Sequence, residues 1–404
     1  MRTDLAIGVR LAVGRHALVR FLLVAGDVGL GVGVLLFAAD AVGPHPGRLV
    51  AVVSVAGFLL APLVVFIASV ARLGGPERER RLATLRLLGA SAVQVRRVAA
   101  VESLTGGVAG LGLGVAGFAV LRGLDALSWP ALGLVVVLAP VLAAGAGLAG
   151  TRNTVVEPLG VVRQGETGAR RVWWRLVAAG LGVGLLAIGV TTTDETADLT
   201  ASAGVVAVLM SIPLLLPWLV ERAVRGMRGG VPSWQLAVRR LQADSGTPSR
   251  VAGGVAVLVA AAVGARTILR SAPPVPLVGA GIYLMSGFTL LVAGASLLVL
   301  VVQQLSERRR AVAALAASGV PWGVIGRSLL WQNLIPIGFG IVVADFAGAG
   351  LGAAVVRMLG VRVFFDWAFM LIVSALAVLM VMAVTLSAIP VLRASAHSDA
   401  LREE

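Results

Sequence analysis

Residues 77–97 read ERERRLATLRLLGASAVQVRR, and residues 307–327 read ERRRAVAALAASGVPWGVIGR. The two stretches begin 230 positions apart, at 77 and 307, and we call them the first and second arginine-rich segments. In this register five residues of the first, Glu77, Arg78, Arg80, Leu85 and Gly89, match Glu307, Arg308, Arg310, Leu315 and Gly319. Identities that keep register over such a distance indicate an internal duplication.

The residue pattern of the first arginine-rich segment predicts two helices separated by a turn. Leu85 and Leu88 belong to an apolar stripe of helical spacing, and arginines occupy the other face. Gly89 fits the position just past a helix end, and Ser91 with Gln94 predicts a capping box that begins the next helix. We therefore expect a short helix on the membrane surface, a turn, and re-entry of the chain into the bilayer.

The composition predicts an all-α polytopic membrane protein. Of its 404 residues 58% are apolar, and several apolar runs reach about 20 residues, the length that crosses a bilayer. We predict ten spans, at residues 20–39, 49–71, 98–121, 131–149, 173–190, 203–220, 251–269, 277–302, 328–356 and 367–389. They form two parallel four-helix repeats joined by a two-helix connector. The predicted domains are residues 1–163, 164–232 and 233–404.

The arginines predict the orientation of the chain in the membrane. The sequence has 34 basic residues, all of them arginine, and 28 fall on the same side as the N-terminus. The acidic loop with Asp194, Glu195 and Asp198 falls on the other side. By the positive-inside rule both termini and both arginine-rich segments are cytoplasmic. Topology thus explains the net charge of +14 better than nucleic acid does.

A family resemblance is carried by residues 78–103, RERRLATLRLLGASAVQVRRVAAVES, and by the glycine-rich GGVAGLGLGVAG that follows at 106–117. This stretch resembles the signature of the FtsX-like (MacB-type) ABC transporter permeases, and the second repeat matches it less closely. The ten-span layout is similar to permeases of bacitracin-type peptide-resistance systems.

The resemblance implies a permease subunit in a bacterial inner membrane that works with two copies of a separate soluble ATPase. ATP and Mg²⁺ would be bound by that ATPase, and this chain would carry no cofactor. The implied activity is export or membrane extraction of an amphiphilic substrate, such as a peptide antibiotic, a drug or a lipid, with efflux and antibiotic resistance as consequences. The segments implied to contact the ATPase contain Glu77, Arg78, Arg80, Arg81, Leu85, Arg86 and Gly89, and Glu307, Arg308, Arg310, Leu315 and Gly319.

Ionisable groups within predicted spans are further candidates, because each is costly in hydrocarbon and usually faces protein or water. Glu102 and Gln332 occupy equivalent positions of the two repeats, and we expect Glu102 to hold the first arginine-rich segment to the helix bundle; gating or substrate contact is the alternative. Asp27 and Asp345 are candidates for a buried polar contact, a substrate path or proton transfer.

Glycines recur every four residues at Gly106, Gly110 and Gly114, and at Gly180 and Gly184, which favours close helix packing.

Several classes of site are disfavoured by the sequence. A phosphate loop needs a lysine, and the chain has none. It has no cysteine, and its three histidines are too scattered for metal ligation. We therefore expect no enzymatic activity in this chain alone. Two other functions stay open, an ion-coupled secondary transporter that uses Asp27 and Asp345, and a non-transporting signalling or scaffold subunit.

Overall fold

The computed structural model describes residues 18–42, 49–70, 91–149, 173–192, 197–243, 246–271 and 318–400. Within these ranges the chain is all-helical, with ten α-helices and one short 3-10 helix at Leu124–Ala126. The α-helices, numbered in chain order, are α1 Leu18–Val42, α2 Leu49–Val70, α3 Ala92–Arg122, α4 Trp129–Ala149, α5 Trp173–Thr191, α6 Ala197–Arg225, α7 Pro232–Ala243, α8 Gly246–Ser271, α9 Trp322–Met358 and α10 Trp367–Ala400.

Six helices of the described residues are long and apolar enough to cross a membrane. Their qualifying stretches are Ala100–Arg122, Trp173–Thr191, Ala197–Arg225, Pro248–Ser271, Trp322–Met358 and Trp367–Ser387. Helices α2 and α4 contain shorter apolar stretches, Val53–Val65 and Trp129–Gly145. Helices occupy nine of the ten predicted span positions, and the eighth, 277–302, lies outside the described residues.

The predicted start of α3 is confirmed. Ser91 is the N-cap, and its side-chain oxygen accepts a hydrogen bond from the Gln94 backbone N–H at 3.2 Å. The Gln94 side-chain oxygen accepts from the Ser91 backbone N–H at 2.8 Å. This reciprocal pair satisfies two N–H groups at the helix end that would otherwise lack partners.

The chain divides into two compact units, of which one contains α1 to α4 and the other α5 to α10. In the first unit α1 packs against α2, α3 and α4. In the second, α8 is buried over almost all of its apolar length and packs against α6, α9 and α10. Helices α1 and α8 are the first helices of the two predicted repeats. The predicted domain boundaries themselves stay predictions.

Glycines bring helix backbones together in both units. In the first, a Cβ on Gly110 would lie 2.6 Å from the Ala25 carbonyl oxygen, and a Cβ on Gly114 would meet the Gly29 carbonyl oxygen even more closely. Both contact positions advance by four residues together, so α1 and α3 run parallel. Small residues at this spacing let helices approach closely in lipid.

The second unit contains an equivalent parallel pair, α8 and α9. A Cβ on Gly340 would lie 3.2 Å from the Ala252 carbonyl oxygen, and one on Gly352 would lie 2.9 Å from the Gly264 carbonyl oxygen. Gly348, between them, faces the Ala260 backbone. The first and third helices of each predicted repeat are thus packed in the same manner.

The prediction for Gly180 and Gly184 of α5 is wrong. A Cβ on either would have no atom within 4 Å. The antiparallel contact of α5 with α6 instead uses Gly189, whose Cβ would lie 2.6 Å from the Ala201 backbone nitrogen, and Gly182. On α6 Gly204 completes the contact against Leu186. Spacing by four was present on α5, but its neighbour lies on a different face of the helix.

Candidate functional site

Most of the predicted ATPase-contacting residues lie outside the described residues. These are residues 77–90 of the first arginine-rich segment and 307–317 of the second. Gly319 is described, and its φ of 85° places it in the left-handed region that favours glycine. This conformation fits the position just past a helix end that the sequence indicated for its counterpart, Gly89.

The last residues of the second arginine-rich segment, from Trp322 to Arg327, form the start of α9. Pro321 is the N-cap residue, and the helix then runs without a break for 37 residues to Met358. Ile325 and Leu329 are buried at its start, and Val320 and Trp322 pack against them. The turn at Gly319 is therefore fixed by packing to a long helix, and a displacement of the turn would be passed to α9.

Helix α7 supports this end of α9 from the side. Trp234 on α7 and Trp331 on α9 make an edge-to-face contact with their ring centroids 5.0 Å apart. Ala237 and Leu241 of α7 are fully buried. The amphipathic α7 thus covers the start of α9 with its apolar face.

Glu102 and Gln332 lie at equivalent positions but in different surroundings. Glu102 is half-buried on α3, and its backbone carbonyl accepts a hydrogen bond from the Thr105 hydroxyl at 2.8 Å. Gln332 on α9 is only 2% exposed, and neither polar atom of its amide has a hydrogen-bond partner among the described residues. An unpaired buried amide costs free energy, so packing alone does not explain a glutamine at position 332.

Asp27 and Asp345 are both within helices that belong to the predicted membrane region. Asp27 is completely buried on α1. Asp345 on α9 is half-buried, and its two carboxylate oxygens accept the Ser374 hydroxyl of α10 at 3.1 and 3.0 Å. About three helix turns closer to the start of α9, the Asn333 amide donates to the Thr385 hydroxyl at 3.0 Å. The pairings run in opposite directions along α9 and α10, as expected of an antiparallel hairpin.

Sequence reasoning missed an ion pair at the predicted outer end of each unit. In the first unit Arg122, the last residue of α3, contacts Asp40 of α1 at 2.6 Å. In the second, Arg266 and Arg270 of α8 contact Asp366 at 2.9 and 2.8 Å. Each ion pair joins two segments that are distant in the sequence, so no local sequence pattern predicts it.

Asp366 has a second role at the start of α10. Its other carboxylate oxygen accepts the Phe369 backbone N–H at 3.2 Å, as an N-cap residue does. The hydrogen bond from Arg266 and the one from the Phe369 N–H lower the pKa of Asp366 below its ordinary 3.8. The carboxylate therefore stays charged and anchors α10 to α8 at physiological pH.

In the described residues no group of three His, Asp or Glu side chains is placed to hold a metal ion. The polar side chains of the candidate site therefore form hydrogen bonds and ion pairs between helices. Such an arrangement can transmit movement and can contact a polar group inside the membrane.

No curated protein and no solved structure matches the chain. Residues 283–398 match the family model described as FtsX-like permease C-terminal. The matched range contains the second arginine-rich segment, α9 and nearly all of α10, although the first repeat carries the closer motif resemblance. The match supports the FtsX-like permease family, and such a domain suggests the membrane subunit of an ABC transporter, which is not an enzyme by itself.

Proposed function

We propose that this chain is the permease subunit of an ABC transporter that couples ATP hydrolysis by a separate ATPase to export or membrane extraction of an amphiphile. The observation that carries the proposal is the FtsX-like match over 283–398, which includes the second arginine-rich segment. The parallel, glycine-lined pairs α1–α3 and α8–α9 support a duplicated permease of ten spans.

The route of force follows from the packing of α9. Two copies of the ATPase, which bind ATP and Mg²⁺, contact the two arginine-rich segments from the cytoplasm. Arg78 and Arg308 pair with acidic groups on those subunits through charge-assisted hydrogen bonds. Movement of the second segment passes through the turn at Gly319 into α9, because Ile325 and Leu329 are buried where that helix begins.

Helix α9 then moves together with the helices on which it packs. The contacts at Gly340 and Gly352 are made by backbone and are too close to slide without a change of packing. Interfaces of this kind have discrete arrangements, which suits a transporter that alternates between states. The substrate enters sideways from the bilayer of a bacterial inner membrane, where both termini are cytoplasmic.

The test is co-purification of the chain with its ATPase after charge reversal. We expect Arg78→Glu combined with Arg308→Glu to reduce the bound ATPase and the substrate-dependent ATP hydrolysis by about tenfold or more, the effect of losing charge-assisted bonds. Arg228→Glu is the matched control, since Arg228 is exposed in the α6–α7 loop on the same predicted side. It should leave both readouts unchanged.

The same preparation separates the alternatives. Retention of the ATPase and of transport by the double variant would contradict the proposal. Ion-gradient-driven uptake by the chain alone in liposomes would instead identify a secondary transporter. An ATPase complex that binds substrate without moving it would identify a signalling subunit.

A further inference from the structure

The Asp345–Ser374 pair lies at the boundary between the buried and exposed faces of the α9–α10 hairpin. On α9 Ile341 is buried, whereas Val342 and Phe346 are 55% and 79% exposed. On α10 the arrangement is the same, with Ala377 buried and Leu371 exposed. A carboxylate thus stands beside an open apolar surface, 13 residues before α9 ends at Met358.

The part of the chain that the structure describes supplies no cation that pairs with this carboxylate. Among the described residues no arginine or histidine forms an ion pair with Asp345, and its hydrogen bonds come from Ser374 alone. Helix α8 contributes only glycine and apolar residues over 252–264, the stretch whose backbone Gly340, Gly348 and Gly352 approach. The predicted eighth span, 277–302, contains no charged residue in its sequence.

The charges on the other helices packed around α9 lie toward their ends. They are Arg175 on α5, Asp198, Glu221, Arg222 and Arg225 on α6, Arg239 and Arg240 on α7, Arg250, Arg266 and Arg270 on α8, and Arg393, His397 and Asp399 on α10. Of these, Arg266 and Arg270 already pair with Asp366, and Arg225 pairs with Glu221. The described helices therefore place a carboxylate within the predicted membrane region with no cationic side chain paired to it, which leaves room for a cation on another molecule.

We propose that Asp345 and Ser374 bind the ammonium group of a cationic amphiphile that reaches the α9–α10 hairpin from the bilayer. The carboxylate accepts the ammonium N–H groups, and the Ser374 hydroxyl holds the carboxylate in place. The apolar tail lies along Val342, Phe346 and Leu371. This inference deepens the proposed function, on which it rests, by naming the class of substrate.

The experiment uses the purified full chain in lipid nanodiscs without the ATPase. The probe is a dodecylammonium that carries a photoreactive diazirine in its alkyl chain. Its N-acetylated form, which has no charge, is the control probe. We expect the ammonium probe to label peptides that contain residues 342–346 and 371–375 about tenfold more than the acetylated probe, the effect of one charge-assisted bond. Labelled residues are located by mass spectrometry.

Variants distinguish recognition of charge from a structural role. Asp345→Asn keeps an acceptor for Ser374 but removes the charge, and should abolish the preference for the ammonium probe. Asp345→Glu should keep the preference, and Ser374→Ala should weaken it. Asp125→Asn removes an exposed carboxylate after α3, away from this hairpin, and should leave labelling unchanged.

The inference is overturned if both probes label equally, or if Asp345→Asn labels like the unmodified protein while its elution and circular dichroism show an intact fold. Because no ATPase is present, the outcome does not depend on ATPase attachment. Retention of the ATPase and of transport by the charge-reversed double variant would contradict the proposed function alone. Equal labelling by the two probes, together with the expected loss of the ATPase from the double variant, would contradict the inference alone.

Discussion

Gln332 and Asn333 are adjacent amides of α9 with opposite hydrogen-bonding states. The Asn333 amide donates to Thr385, whereas both polar atoms of the Gln332 side chain are buried and have no partner in the part of the chain that the structure describes. Pro336 stands four residues later and has no backbone N–H to offer the Gln332 carbonyl. Position 332 therefore combines an unsatisfied side chain with a backbone carbonyl that lacks its usual helical hydrogen bond. It lies just over one helix turn after the second arginine-rich segment.

We predict that Gln332→Met stabilises the protein, because methionine fills a similar volume and removes an amide whose unpaired burial costs about 1–3 kcal/mol. Thermal unfolding in detergent measures the change. Asn333→Leu is the matched control, and it should destabilise because Thr385 loses its donor. Equal behaviour of the two variants would show that the amide of Gln332 is satisfied in the membrane.

Asp366 predicts a dependence of stability on pH. Its pKa is lower in the folded protein than its ordinary 3.8, chiefly because Arg266 and the Phe369 N–H hydrogen-bond the charged form. Its contribution is thus present above the unfolded pKa and is lost as the pH falls through the folded pKa. We expect unmodified protein to be more stable than Asp366→Asn near neutral pH, and the difference to shrink from about pH 4 downward.

The measurement is the unfolding temperature of both proteins across that pH range. Asparagine is also a good N-cap, so Asp366→Asn isolates the ion pairs with Arg266 and Arg270. Asp366→Ala removes the cap as well and should lower the unfolding temperature further. A constant gap between unmodified protein and Asp366→Asn at every pH would refute the role of the charge.

At the scale of elements, the contact between α1 and α3 depends on the absence of side chains. A Cβ on Gly110 would lie 2.6 Å from the Ala25 carbonyl oxygen, whereas one on Gly112 would have no atom within 4 Å. We predict that Gly110→Ala destabilises by about 1–3 kcal/mol through overpacking. Gly112→Ala should be neutral or stabilising by up to about 1 kcal/mol, because alanine favours the helix.

Thermal unfolding of the two variants side by side tests this contact. They change the same residue type two positions apart on one helix, so their intrinsic helix propensities are matched. If both unfold at the same temperature, α1 does not pack on this face of α3 in the membrane.

The sequence pattern predicted elements more readily than it predicted contacts between them. Ser91 and Gln94 are three residues apart, and the capping box was therefore visible in the sequence. Spacing by four also marked Gly180 and Gly184, yet the contact of α5 falls on Gly182 and Gly189. Glycine spacing indicates that a helix can pack closely, but only its neighbour decides which face does so.

Predicting the side-chain pairs of the candidate site requires knowing which residues far apart in the sequence lie next to each other. Asp345 was visible as an acidic residue in an apolar run, but its partner Ser374 is 29 positions away on α10. Arg266 and Asp366 are separated by 100 positions, and their pairing needs the register of two helices. Such pairings follow from helix packing, which residue spacing along one segment does not contain.

At the scale of the whole molecule, the even number of predicted spans puts both termini on one side of the membrane, and the distribution of arginine predicts which side. Placing 28 of the 34 arginines in the cytoplasm puts the α6–α7 loop inside and the loops after α3 and α9 outside. Reversal would place both arginine-rich segments outside the cell, away from any ATP. The orientation is therefore the condition on which the proposed function as a whole depends.

The chain has no cysteine, so single introduced thiols report the orientation without background. We predict that Asp125→Cys and Arg362→Cys react with a membrane-impermeant maleimide in intact cells, because both positions are exposed in predicted outer loops. Arg228→Cys, exposed in the α6–α7 loop, should react only after the membrane is opened. Labelling of Arg228→Cys in intact cells would invert the topology, and it would remove the arginine-rich segments from reach of a cytoplasmic ATPase.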